Sequence, residues 1–232
     1  MKKISLFICC TIVLCGSAFG REHYIGEKYL GAKYATNPLG EGKKPDTDPL
    51  IRTDAFDCTT FVETSLADGD VDKLTKIRYK DGKIDFLNRN HFIETDWIKN
   101  NADIVENVSA DYGKTATKTV KIDKKSWFKK IYNMDTKFKT ETVDLKYIPL
   151  DDVKNIKTAK PLIVLFVANN PIFKEKIGTD LAITHMGFLL PDNTLRHASR
   201  KQNAVVDTDF SKYISKRKEK SHNIGIMLLK IK

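Results

Sequence analysis

LIVLFVA, Leu162 to Ala168, follows Pro161 and is apolar at every position. A run so short and so apolar predicts a buried strand. The segments after it extend the pattern. ITHMGFLL (Ile183–Leu190), the turn PDN and TLRHAS (Thr194–Ser199) read as a β-hairpin. AVVDTDF adds a short strand, and NIGIMLLKI (Asn223–Ile231) a final one. Strands this close together in sequence, joined by tight turns, predict an antiparallel sheet.

The first half has a different periodicity. REHYIGEKYLGAKY (Arg21–Tyr34) reads as helical, with Tyr24, Tyr29 and Leu30 as its apolar marks. ATNPLGEGKKPDTDPL, with its prolines and glycines, is a surface loop. In DCTTFVETSLA, Phe61, Val62, Ser65 and Leu66 recur at helical spacing. A helix is expected to start at or just after Cys58, with Asp57 as its N-cap. DFLNRNHFIETDWIKNN is expected to be helical around Trp97, and TKTVKI to be a strand. The run Lys216 to Lys220 reads as a loop or a helix end. Helices early and strands late give an α+β fold, with N-terminal helices packed on a central antiparallel sheet.

The hairpin has a geometric consequence. If its loop is Pro191-Asp192-Asn193, Leu190 faces Thr194. His185 and His197 then share one face as diagonal neighbours, roughly 7–8 Å apart, within reach of touching imidazoles. A two-residue loop would put them on opposite faces.

The N-terminus bears on the cysteines. MKKISLFICCTIVLCGSAFG has two lysines, an apolar run from Ile4 to Leu14, and then small residues. That is the order of a secretory signal peptide, expected over residues 1–20. The run is shorter than the roughly 18–20 residues of a spanning helix, so no stable membrane anchor is expected after cleavage. Cys9, Cys10 and Cys15 leave with it, and Cys58 remains alone. In an oxidising compartment a lone cysteine is a buried small hydrophobe, an intermolecular bridge or a reactive thiol. The net charge of +10 falls to about +8 without Lys2 and Lys3. The lysines are scattered, so this reads as a solvated surface rather than a nucleic-acid footprint; no nucleic-acid recognition motif is found.

Cys58 at a helix N-terminus is where backbone N–H groups and a nearby imidazole stabilise thiolate and bind an oxyanion. Cys58 as nucleophile, His185 as base and His197 as orienter form one catalytic hypothesis. The same three side chains as zinc ligands form a lesser one, since no HExxH or CxxC spacing supports it. No cofactor is expected.

FDCTTFVE, RNHF, THMGF and LRHAS, in that order, resemble the N-acetylmuramoyl-L-alanine amidase-like family of the NlpC-type, papain-like cell-wall hydrolases. The resemblance runs from about Tyr29 to the end. It implies a papain-like fold for residues 21–232 as one hydrolase domain, with Cys58 as nucleophile, His185 as base and His197 as the third polar residue. It maps the family's upstream tyrosine to Tyr34, although Lys33 stands where the family often has proline. Tyr34, Asp57, Arg89 and His91 are the candidate substrate-binding residues. For Tyr34 an aromatic core role stands equally open, for His91 a hydrogen-bonded place in an Asn-rich turn, and Asp57 reads first as a cap. The implied activity is cleavage of an amide bond in peptidoglycan or muropeptides by an exported, periplasmic or extracellular enzyme, expected to be a monomer. The bond is that between N-acetylmuramic acid and L-alanine, with γ-D-glutamyl–diamino acid cleavage as the alternative. A non-catalytic wall-binding module is the reading from another class.

Overall fold

The computed structural model describes residues 24–153, 156–220 and 222–232. The expected signal segment lies outside them. Two short strands come first, β1 (Lys33–Tyr34) and β2 (Ala55–Phe56). Helices α1 (Cys58–Ala67) and α2 (Val71–Arg78) follow. A single π-helical turn, Ile93–Trp97, runs into α3 (Ile98–Asn100). Then come β3 (Val105–Asn107), α4 (Ser109–Tyr112), β4 (Ala116–Ile122), α5 (Lys124–Tyr132) and β5 (Glu141–Pro149). The last part holds β6 (Leu162–Ala168), α6 (Ile172–Ile177), β7 (Ile183–Leu189), β8 (Thr194–Ser199), β9 (Ala204–Asp209), α7 (Phe210–Lys218) and β10 (Asn223–Ile231).

The described strands form one sheet in the order β2-β1-β9-β8-β7-β6-β10-β5-β4, with β3 also on β10. All neighbours are antiparallel except β1 and β2, which are parallel. Alternation along the central strands divides the core into two layers. Ile163, Leu165, Val167, Met186 and Phe188 face the side covered by Phe61, Val62 and Leu66 of α1. Leu162, Val164, Phe166, Leu189 and Leu195 face the side covered by Phe210 and Ile214 of α7. This two-sided burial is why β6 is apolar throughout.

The N-terminal segment departs from expectation. Its described part is a 3₁₀ turn at Glu27–Tyr29 followed by β1, not a helix. Gly26 (φ 75°) and Gly31 (φ 84°) bracket that turn in the left-handed region, which a right-handed helix cannot pass through. The apolar marks Tyr24 and Tyr29 are still used, packed against the α1 layer.

The hairpin has the three-residue loop, and Phe188 faces Arg196 while Leu189 faces Leu195. Pairing between β7 and β8 stops there. β7 stays on β6 as far back as Ile183, and β8 stays on β9 out to Ser199. The two strands therefore part and open a wedge in the sheet, with His185 on one side and His197 on the other.

Candidate active site

The two imidazoles meet across the wedge. His185 Nε2 lies 2.8 Å from His197 Nδ1, with the rings edge to face at 4.9 Å between centroids. Gly187 makes this approach possible: a Cβ there would stand 2.7 Å from the Arg196 carbonyl oxygen and 2.8 Å from His197 Cβ. Tyr213 of α7 closes the far side, 5.1 Å from the His197 ring and 6.2 Å from the His185 ring, and Phe166 lies 5.5 Å from His185. This aromatic box keeps both rings neutral. Burial, then His197 and Arg217, hold His185 well below the ordinary imidazole range. Burial and Arg217 hold His197 at about 4. His197 is 2% exposed, and its Nε2 has no hydrogen-bond partner among the described residues.

Only one proton fits between the two facing nitrogens. When His185 Nε2–H donates to His197 Nδ1, His185 Nδ1 carries a lone pair and can act as a base. His197 then carries its own proton on Nε2.

Cys58 opens α1, and α1 packs on β7 and β8. The helix starts there because Asp57 caps it. Asp57 Oδ1 accepts from Thr60 N at 2.8 Å, and Thr60 Oγ1 accepts from Asp57 N at 3.0 Å. This reciprocal box satisfies two of the helix's free donors. The Cys58 sulfur accepts from the Met186 backbone N–H, one residue from His185, and from Thr59. Those hydrogen bonds favour thiolate, but burial and the charge of Asp57 outweigh them and push the thiol up to about 12. At rest the thiol and the imidazole are therefore both neutral. The α1 layer and the imidazoles occupy opposite faces of the sheet. The sulfur is held at the backbone of β7, one residue along from His185.

Tyr34 belongs to the same end. β1 lies beside β2, with Tyr34 opposite Phe56, two residues before Cys58. Burial, then the nearness of Cys58 and Asp57, raise its phenol, which stays a hydrogen-bond donor.

The other candidates lie in the interior. Both oxygens of Asp57 are occupied, since Oδ2 accepts from Asn37 N at 3.2 Å. Arg89 is committed to Glu41 at 2.6 Å and Asp46 at 2.9 Å. Asp46 also accepts from Asn37 Nδ2 at 3.1 Å. Arg89 thus reaches the α1 cap through Asp46 and Asn37, as a brace rather than a free guanidinium. His91 Nε2 lies 2.6 Å from the Phe86 carbonyl oxygen, within a cluster of Phe86, Trp127 and Phe128. Of its two readings, this is the hydrogen-bonded structural one.

The facing histidine nitrogens are at hydrogen-bond distance, whereas two nitrogen ligands on one tetrahedral zinc stand about 3.3 Å apart. Among the described residues no group of three or more His, Cys, Asp and Glu is placed to hold a metal ion. Nor is any described helix long and apolar enough to cross a membrane. Sequence reasoning missed Tyr213. The signal for it was the Phe210/Tyr213/Ile214/Arg217 spacing, which makes one face of a short helix.

A family model described as AmiA-like, N-acetylmuramoyl-L-alanine amidase-like, matches residues 24–225. No match is found among curated proteins. Among solved structures, the chain is similar to protein LPG0564 of Legionella pneumophila, of the DUF1460 family (TM-score 0.81, 24% identity, 89% of this chain and 86% of that one). It is also similar to an N-acetylmuramoyl-L-alanine amidase of Bacteroides uniformis (TM-score 0.70, 26% identity, 89% and 95%). A third is a Bacteroides fragilis protein whose name proposes a xylanase (TM-score 0.69, 25% identity, 89% and 98%). With the family model spanning nearly all described residues, this chain belongs to the AmiA-like, N-acetylmuramoyl-L-alanine amidase-like family.

Proposed function

We propose that this protein is an exported cysteine amidase of peptidoglycan with an NlpC-type, papain-like site, cutting between N-acetylmuramic acid and L-alanine. The observation that carries this reading is the His185–His197 hydrogen bond, with the backbone of Met186, the residue after His185, meeting a cysteine at a capped helix N-terminus. The family and the Bacteroides uniformis neighbour support the amidase side of it.

The chemistry follows from the neutral resting pair. His185 Nδ1 takes the Cys58 proton as the sulfur attacks the amide carbonyl, so charge develops only in the transition state. His197 Nδ1 accepts from His185 Nε2–H and stabilises the imidazolium. The Cys58 N–H, left free by the start of α1, and the Tyr34 hydroxyl are the donors for the oxyanion. His185 returns the proton to the leaving nitrogen, and water hydrolyses the thioester.

A glycosidase reading, suggested by the Bacteroides fragilis name, needs two carboxylates flanking the bond. Cys58 is instead accompanied by imidazoles and a phenol, and the nearby Asp57 carboxylate is used as a cap.

The test is digestion of purified peptidoglycan and soluble muropeptides by the mature protein and by Cys58→Ala, with products identified by mass spectrometry. Stem peptides beginning with L-alanine are expected from the wild type alone. Cuts inside the stem would give the endopeptidase specificity instead. Absence of any cut, with a titratable thiol, would favour the wall-binding module. N-terminal sequencing of the secreted protein tests export and cleavage after residue 20.

A further inference from the structure

Among the described arginines, five are engaged. Arg52 pairs with Asp54, Arg78 with Glu63, Arg89 with Glu41 and Asp46, Arg196 with Asp207, and Arg217 with the Tyr213 hydroxyl. Among the described residues Arg200 has no hydrogen-bond or ion-pair partner, and it is exposed. Its position sets it apart. Ser199 pairs with Ala204, and Ala204 pairs with Lys33, so β8, β9 and β1 are aligned in one row. β8 and β1 are both antiparallel to β9 and so run the same way. Arg200 and Tyr34, each the next residue along, leave the sheet at the same end, two strand spacings or roughly 9–10 Å apart. Tyr34 is in turn level with Phe56, whose chain leads straight to Cys58.

The base of Arg200 is pinned while its head is free. Gln202 N donates to Ser199 Oγ at 3.2 Å, and Tyr34 N donates to the Asn203 carbonyl at 3.0 Å. The turn is thus tied to the strand that carries Tyr34. The Tyr34 phenol feels the charges of both Cys58 and Arg200, so Tyr34 stands between the two. An unneutralised guanidinium on a pinned backbone, three residues after His197, is suited to a substrate carboxylate, which it can bind in bidentate fashion.

We infer that Arg200 forms an anion subsite that reads a carboxylate on the substrate one residue beyond the scissile amide. The inference rests on the amidase reading. In a muramoyl peptide the residue after L-alanine is D-glutamate joined through its side chain, so its α-carboxylate stands free at that distance. Where the same carboxylate is carried as a carboxamide, the charge is gone and the subsite loses its partner. Arg200 is a specificity residue that touches substrate away from the reacting atoms.

The experiment compares muramoyl-L-alanyl-γ-D-glutamyl-L-lysine with its D-isoglutaminyl counterpart, in which only the α-carboxylate is amidated, using wild type, Arg200→Gln and Arg200→Lys. The wild type is expected to favour the acid over the amide in kcat/KM by about tenfold or more, as a charge-assisted pair gives. That ratio falls towards one in Arg200→Gln and is partly kept in Arg200→Lys. A wild-type ratio near one, or a ratio unchanged in Arg200→Gln, overturns the subsite. Calorimetric binding of the same two ligands to Cys58→Ala, with and without Arg200→Gln, needs no turnover. If neither ligand is cut by the wild type, the amidase reading fails, and the acid-over-amide binding ratio still decides the subsite: a preference that Arg200→Gln removes supports it, and equal binding overturns it.

Discussion

At the residue scale, the site pairs a thiol with an imidazole and leaves both uncharged. A helix N-terminus and two nearby N–H groups normally lower a cysteine's pKa. Here burial and Asp57 outweigh them, and Cys58 is held at about 12. His185 is lowered by the same burial, so neither ionised form is stable without substrate. The alkylation of Cys58 by iodoacetamide should therefore rise steadily with pH up to the alkaline range. It should not show the plateau from mildly acidic pH that a thiolate–imidazolium pair gives. A plateau beginning below pH 6 would show that the ion pair forms at rest. The acid limb of kcat/KM follows from the imidazoles. On the proposed mechanism the base form of His185 is active, so activity is lost as pH falls through the lowered range of the coupled histidine pair, well below the ordinary imidazole value of about 6.5. His197→Ala frees His185 to take the tautomer with its proton on Nδ1, which is no base. A fall in kcat of roughly a hundredfold, with KM little changed, is expected from steady-state kinetics.

At the element scale, the strand that carries His185 is fixed from outside the sheet. Glu94, on the π-helical turn, accepts from Ala182 N and Ile183 N at 2.7 Å each, where β7 begins. Its other oxygen has no partner among the described residues, and burial raises its pKa. Glu94→Ala leaves two buried N–H groups unpaired, at about 1–3 kcal/mol each. Glu94→Gln keeps an acceptor and should cost less. Urea unfolding of both variants measures the difference; equal losses would mean the two hydrogen bonds contribute nothing. The hairpin and α1 were readable from sequence because their signals are local. PDN between apolar runs sets the register, and Asp57 before a helical spacing sets the cap. Glu94 was not readable, since its partners lie 88 and 89 residues away. Arg89 looked like a cleft residue because the loop that neutralises it, through Glu41 and Asp46, has no pattern that foretells the contact. The described part of the segment, residues 24–34, was misread because apolar spacing was weighed above Gly26 and Gly31, whose left-handed backbone decides it.

At the scale of the whole molecule, the buried titratable groups set an acid limit on the fold. His91 is held at about 3, chiefly by burial among its aromatic neighbours, and His197 at about 4. Unfolded, each would titrate near 6.5, so below that value the unfolded chain binds protons that the native one refuses. Their stabilisation is complete above 6.5 and is lost as pH falls through about 4 and then 3. Glu63, buried beside Arg78 and raised to about 7, works in the opposite sense, as does Glu94. Native carboxyls of that kind hold protons that the unfolded chain releases above about 4.5, so their stabilisation is lost as pH rises through 7. Between about 4.5 and 6.5 the two sets oppose each other, and His185, lowered as well, leaves a gentle loss of stability as pH falls. Below 4.5 the carboxyls are protonated in both states, and the histidines act unopposed. Asp46, braced by Arg89, is lowered and adds to the same loss. The melting temperature should fall gently across the middle window as pH drops and steeply below it, each excess proton costing about 1.4 kcal/mol per pH unit. His91→Phe keeps an aromatic ring in the cluster and removes one of those protons. Calorimetry from pH 3 to 8 should then show a shallower acid limb for the variant, and an unchanged limb would mean that His91 is not a source of the acid sensitivity.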